Sequence, residues 1–373
     1  MKGQWIGQYS GTNEGLMLVN VDERPATFEG VAYVNDKNGA LPSLAAWFNT
    51  TSKARTFSFR TTFIQPVDPN SGVTDSWENV KKFFGQDVAI PQYADVNGEW
   101  SETVLKMSWT TNIGTQGSCE LPRSKAVDPS ELLPLNEVVN WASFKSYVSR
   151  LEGRRHLFRG QNKPWRLRTS FHRSDRADLH RFLNEDVQIL HKHLSARTRH
   201  VFNLEVPNEN GAFFNLVQHH GYPTPLLDWT YSPYVAAFFA YRGISNQGAL
   251  NAPAADRVRI LVFDQAQWKA DLRQLQQLLL AGPHLSIGEF MAIENERMIP
   301  QQAASTVTNI DDIESYIKSK EANGKTYLWA IDLPVSERRI VVQELSYMGI
   351  TAGSLFPGLD GACEELKERN FEN

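Results

Sequence analysis

Three short stretches hold the residues whose types and spacing could do chemistry. Arg159 closes the apolar run His156-Leu157-Phe158 and is followed by Gly160. A guanidinium fixed at a strand end can fork onto a phosphate or bond a sugar hydroxyl, and the glycine lets a backbone or a ligand come close. Asp228 stands between Leu227 and Trp229 in a segment that reads as buried. An unpaired charge is disfavoured there, so Asp228 needs a partner or a wet cavity. The plainer alternative is that Arg159 and Asp228 pair to hold strands together, although desolvating such a pair is expensive. Ser232 is a natural N-cap and Pro233 a natural first helical residue, so a helix should open just past the Asp228 strand with its free amides available to an anion.

Other chemistries find less support. His219 and His220 invite a metal reading, but no third ligand stands at a suitable spacing, and His191 and His193, two apart on a helix, cannot share a face. The two cysteines, Cys119 and Cys363, lie far apart, so neither a disulfide framework nor a cysteine zinc site is indicated. We expect no metal. No phosphate-binding glycine loop occurs, and no clustered carboxylates offer a two-metal nuclease site.

The elements that must position these groups fall into two regions. All nine histidines lie at or after His156, a partition that uniform composition does not produce. Residues 1–121 read as short strands (GLMLVNV, TFEGVAYV, TFSFRTTFI, TVLKMSWTT) bounded by Gly, Asn, Asp and Pro, which predicts a β-barrel or β-sandwich domain. The opening pattern from Gly3 to Thr12, with Gly7, Tyr9 and Gly11, suits a barrel's first strand; it could line a ligand pocket, though plain strand packing explains it better. Residues 122–139 mix Pro, Ser and charge and read as an exposed linker. From residue 140 to 373 helical and strand signals interleave, giving an α+β chain overall. Helices are predicted over NWASFKSYVSRL, over the long run ADLHRFLNEDVQILHKHLSARTRHVF, over GAFFNLVQHHG as far as Gly221, and over SPYVAAFFAYRG. Strands are predicted at RRHLFRG, PTPLLDWT, RVRILVFD, KTYLWAIDL and RRIVVQEL.

A net charge of −4 argues against bulk coating of nucleic acid. No long apolar run and no apolar leader stand in the sequence, so the expectation is a cytoplasmic protein without a membrane partner.

Five stretches of the second region resemble the FRG domain family: His156 to Gln161 with Trp165 and Thr169 to Arg173; HHGYPTPLLDWTYSPYVAAFFA from His219; NERMIPQ from Asn295; Gly349-Ile350; and LFPGLDG from Leu355. The resemblance covers about residues 140–365 and none of residues 1–121. By analogy it implies an ADP-ribosyltransferase-like fold with NAD as substrate, in a bacterial toxin or antiphage effector. On that analogy Arg159 and Gly160 grip NAD, Thr230 and Ser232 lead a strand into a helix beside the nicotinamide, and Tyr231 or Tyr234 stacks on it. Asp228 and His220 complete the binding set, and Gln301 takes the third catalytic position, with Gln302, Glu294, Glu296 and Glu344 as competitors. Ala303 and Ser305 depart from the Gly and Phe that the family has after that glutamine. The implied acceptor is a protein or a nucleic acid, and residues 1–121 would take a trigger ligand or partner. The alternative is a non-catalytic nucleotide- or nucleic-acid-binding module using Arg154, Arg155, Arg159, Arg166, Arg168 and Arg173 as phosphate contacts.

Overall fold

A computed structural model describes residues 1–322 and 324–372. The first region forms one antiparallel nine-stranded sheet: β1 (Gly3–Gly11), β2 (Gly15–Glu23), β3 (Phe28–Asp36), β4 (Leu44–Asn49), β5 (Thr56–Thr61), β6 (Ile64–Pro66), β7 (Ala94–Trp100), β8 (Val104–Thr111) and β9 (Gln116–Pro122). Their order is β5-β7-β8-β9-β1-β2-β3-β4-β6, so the two edge strands are consecutive in the chain. The chain turns the corner between them, where Thr61 Oγ1 donates to Trp47 O at 2.6 Å and Trp47 N donates to Phe63 O at 3.1 Å. The sheet curls into a nearly closed barrel, as the alternating pattern predicted. Within the sheet, Gly11 lets β1 and β9 come close: a Cβ there would lie 2.1 Å from Gln116 O of the neighbouring strand.

The second region is built on an antiparallel six-stranded sheet: β10 (His156–Gln161), β11 (Leu226–Thr230), β12 (Arg257–Asp264), β13 (Leu285–Gly288), β14 (Ala303–Thr308) and β15 (Leu328–Pro334), in the order β13-β14-β11-β10-β12-β15. Phe158, Ile260, Val262 and Ile331 face the helices Trp141–Val148, Pro233–Tyr241 and Arg338–Tyr347. Leu157, Leu261, Leu227 and Trp229 face the other way, against Trp268, Ile313 and Ile317. The run RRIVVQEL is helix and not strand: Val341 and Leu345, four apart, are buried while Ile340 is exposed, so tertiary burial overrides a β-branched run. The long helix read from residue 177 is also shorter. It passes through a π-type turn at Phe182–Asp186 and stops at Leu194, after which Phe202 returns to the core without helical backbone.

Residues 122–139 are not a free tether. Leu135 N donates to Ala330 O at 2.9 Å, Ser130 Oγ bonds Glu314 at 2.7 Å, and Val138 is buried. The barrel's outer face docks on the second region as well. Asp22, fully buried, accepts from Ala177 N at 2.8 Å and from Arg181 Nη1 at 3.2 Å, and it pairs with Arg176.

Candidate functional site

The six-stranded sheet is almost divided in two. β10 pairs with β12 along all of His156–Gln161, and β11 pairs with β14 along all of Leu226–Thr230. Between β10 and β11 the register holds at one position, Phe158 opposite Thr230. Beyond it the strands part, and Arg159 stands in the gap. Its Nη1 donates to the backbone carbonyl of Asp228 at 2.7 Å, while its Nε is enclosed without a partner among the described residues. Burial lowers the guanidinium pKa to about 10, against the opposing pull of Asp228.

The sequence placed Arg159 and Asp228 together, and the structure does so in an unexpected way. Leu157 and Trp229 pack on one face of the sheet, and strand alternation puts Arg159 with them. Asp228 falls with Leu226 and Thr230 on the opposite face. The two residues therefore meet through the Asp228 carbonyl at the split and not as an ion pair. Arg173, whose pKa burial lowers, also feels the Asp228 carboxylate, and so does His219, whose imidazole burial holds toward the neutral form.

Gly160 has its open side filled by protein. A Cβ there would lie 1.9 Å from Ala236 O and 2.6 Å from Ala240 N, so the glycine exists for the helix Pro233–Tyr241 and leaves no room for a ligand at that point. Ser232 does cap that helix, accepting from Val235 N at 3.2 Å, with Pro233 at its first turn. The hydroxyl is thereby engaged, and Ser232 lies past the strand end rather than in the split. Thr230 Oγ1 donates to Gln301 O at 2.7 Å and accepts from Ser232 N at 3.0 Å. Gln301 is buried and donates its amide to Leu355 O at 2.9 Å. Thr230, Ser232 and Gln301 thus form one knot that ties the β11 turn to Leu355 at the end of the helix Ala352–Leu355. Tyr231 shares the face of Arg159, with the Arg154 guanidinium 4.4 Å from its ring, whereas Tyr234 packs against Trp141 on the other face. His220 is exposed at the helix end, and His219 is the imidazole that turns inward, to Asn295.

A buried polar chain beside Asp228 escaped the sequence reading. Asn295 Nδ2 donates to Asn215 Oδ1 at 2.8 Å, and Asn215 Nδ2 donates to Ser305 Oγ at 3.1 Å, with Ser305 opposite Asp228 in the ladder. Its signal was present: Asn215 interrupts the apolar run Phe213-Phe214-Asn215-Leu216-Val217, and a buried amide needs partners. Several arginines of the phosphate-contact alternative are committed internally. Arg155 pairs with Asp264 at 2.8 Å, Arg166 with Asp312 at 3.1 Å, and Arg168 with Asp311.

The chain is an α+β protein whose split sheet carries an enclosed arginine behind a barrel domain. Residues 154–248 match the FRG domain family, from β10 through the helix that Gly160 admits. The stretches at Asn295, Gly349 and Leu355 lie outside the matched interval, and no family match covers the barrel. No curated protein matches the chain. Among the described residues no three His, Cys, Asp or Glu side chains converge as metal ligands, and no helix is long and apolar enough to cross a membrane.

Proposed function

We propose that the second region transfers ADP-ribose from NAD, or hydrolyses NAD, at the split between β10 and β11. The observation that carries this reading is the Arg159 guanidinium, enclosed, short of one partner and joined to β11 by a single bond to a carbonyl. On this reading the arginine exchanges the Asp228 carbonyl for a phosphate or ribose oxygen of NAD as the strands part, and Tyr231, on the same face, is the tyrosine available to the nicotinamide. The positions of the resemblance support it by lying on or beside adjacent strands: Gln301 just before β14, Thr230 on β11 and Arg159 on β10. Departure of nicotinamide leaves an oxocarbenium-like ribose, and the Asp228 carboxylate, whose charge reaches Arg159 across the split, supplies opposing charge through space. The acceptor is water, a protein or a nucleic acid, and NAD consumption would make the protein a toxin or antiphage effector.

Nicotinamide release from NAD by the purified protein tests this, with Arg159→Met as the deciding variant. Burial holds the guanidinium at about 10, below its usual value, so keeping it charged in the fold costs stability at neutral pH. Methionine of similar reach removes that cost, so the variant should fold at least as stably as wild type while release falls about 100-fold or more. Loss of folding in Arg159→Met, with no NAD turnover or affinity in wild type, would make the arginine structural and end the reading.

A further inference from the structure

We propose that the interior of the N-terminal barrel binds a small neutral molecule, about one aromatic ring in size, that carries one hydrogen-bond acceptor. The barrel is filled unevenly. At one end Trp5, Phe28, Leu105 and Leu121 pack into a solid core. At the other, the inward positions hold Ala32, Ala46 and Ala94, which leave a cavity of about 170 Å³. Ala32 and Ala46 are direct cross-strand partners on β3 and β4, so the small residues coincide where one large side chain would have filled the space. Alanine is a poor strand former, and native cores seldom keep voids much larger than a water. Dry apolar cavities of about this size bind benzene-sized molecules, and a barrel of about this strand number can hold one small ligand.

The lining sets the ligand class. Among the described residues it contains no Asp, Glu, Lys, Arg or His, so a carboxylate or an amine would enter without a counter-charge. Leu41, Pro42, Ile90, Pro91 and Ile113 continue the apolar lining. The polar groups are mostly spent: Thr61 Oγ1 on Trp47 O at 2.6 Å, and Thr111 and Thr115 on each other at 2.7 Å. Tyr9 differs. Its oxygen accepts from Asn13 Nδ2 at 2.9 Å, which leaves its own O–H to donate, and its ring lies 5.8 Å from that of Trp109 in the same wall. The glycines around Tyr9 serve strand packing while the tyrosine faces the cavity.

Isothermal titration of the full chain with acetophenone, toluene and benzoate tests the proposal. Acetophenone should bind saturably, one per chain. Toluene should bind about fivefold more weakly, for want of the single neutral hydrogen bond. Benzoate should bind at least ~100-fold more weakly, because its charge has no partner. Ala46→Phe should abolish binding by filling the space, and the nearly isosteric Tyr9→Phe, which does not depend on that variant folding, should bring acetophenone down to the toluene value. Absence of saturable acetophenone binding, benzoate binding as tight as acetophenone, or an unchanged preference in Tyr9→Phe would overturn it.

Discussion

The two sheets of this protein solve opposite problems. The barrel keeps continuous register from β7 to β4 and leaves space inside, with no charged group on the cavity wall among the described residues. The six-stranded sheet is packed on both faces, yet its register fails between β10 and β11, and a guanidinium fills the failure. Incompleteness is apolar in one region and ionic in the other. Each comes down to a few residues: alanines paired across two strands where a barrel needs bulk, and an arginine where a strand needs a hydrophobe. Both departures run against stability, which is why each marks a candidate site.

The comparison breaks most sharply if the two regions are separate bodies, and Asp22 decides that. Its buried carboxylate joins β2 to the half-buried Arg176 and Arg181 and to the buried Ala177 and Asp178 amides. Asp22→Ala leaves the Ala177 and Asp178 amides without their acceptor and takes one carboxylate from Arg176 and Arg181, which keep Asp186, Glu29 and Glu185, so we expect a loss of about 3 kcal/mol. Urea unfolding should show one transition in wild type and a large drop in midpoint in the variant. A variant within ~0.5 kcal/mol of wild type would mean that the regions are held elsewhere.

Gly160 gives the next largest effect and tests the split itself. Alanine there meets backbone atoms of the helix Pro233–Tyr241, which cannot yield as a side-chain tip does. We expect a loss of about 2–3 kcal/mol with the barrel's ligand binding intact. An unaffected Gly160→Ala protein would show that the helix is free to lift and that the glycine leaves room for a ligand after all.

How far the sequence revealed this arrangement depended on whether the signal was local. Ser232 and Pro233 fixed a helix start because capping is decided by adjacent residues, and Asn140 caps the helix Trp141–Val148 for the same reason. RRIVVQEL misled because β-branched residues favour strands, while the spacing of Val341 and Leu345 that makes it a helix acquires meaning only against the core they enter. Arg159 and Asp228 were legible as neighbours but not as occupants of opposite faces, since facing depends on the register of β10 against β11, which no residue type states. The Asn215 chain and the cavity at Ala32 and Ala46 depend on long-range pairing. Small inward residues look ordinary until their cross-strand partners are known.

Acidification should separate the regions by their histidines, all of which lie at or after His156. Burial lowers His172, His180 and His284 to about 4 from a model-peptide value near 6.5. The unfolded chain therefore takes up protons that the fold does not, and stability present above pH 6.5 is lost as pH falls toward 4. Asp178, raised to about 6, works in the opposite direction between pH 6 and 3.8 and offsets part of the loss. His180 sits at the docking face, its Nε2 2.7 Å from Tyr33 Oη, so His180→Gln should remove roughly one of the three largest contributions, beside the smaller ones of His156 and His219. A urea midpoint flat from pH 7 to 5 would contradict this.

The smallest effect concerns the two thiols, which report on whether the barrel opens on its own. Cys119 is buried in β9 against Met17, and burial pushes its thiol up to about 12, so it is both shielded and protonated at neutral pH. Cys363 is exposed on the helix Leu359–Phe371. Maleimide at pH 7.5 should label one thiol quickly in the native protein and the second only on unfolding. The Asp22→Ala variant makes the measurement informative, because loss of docking removes contacts from the outer face of β2 while Cys119 packs on the inner side with Met17, Trp5 and Leu121. If the barrel's continuous register suffices to keep it closed, the variant still labels at one thiol although its midpoint has fallen. Rapid labelling of Cys119 in that variant would show instead that the barrel depends on the second region for its closure, and the contrast between a self-sufficient barrel and a split sheet would fail.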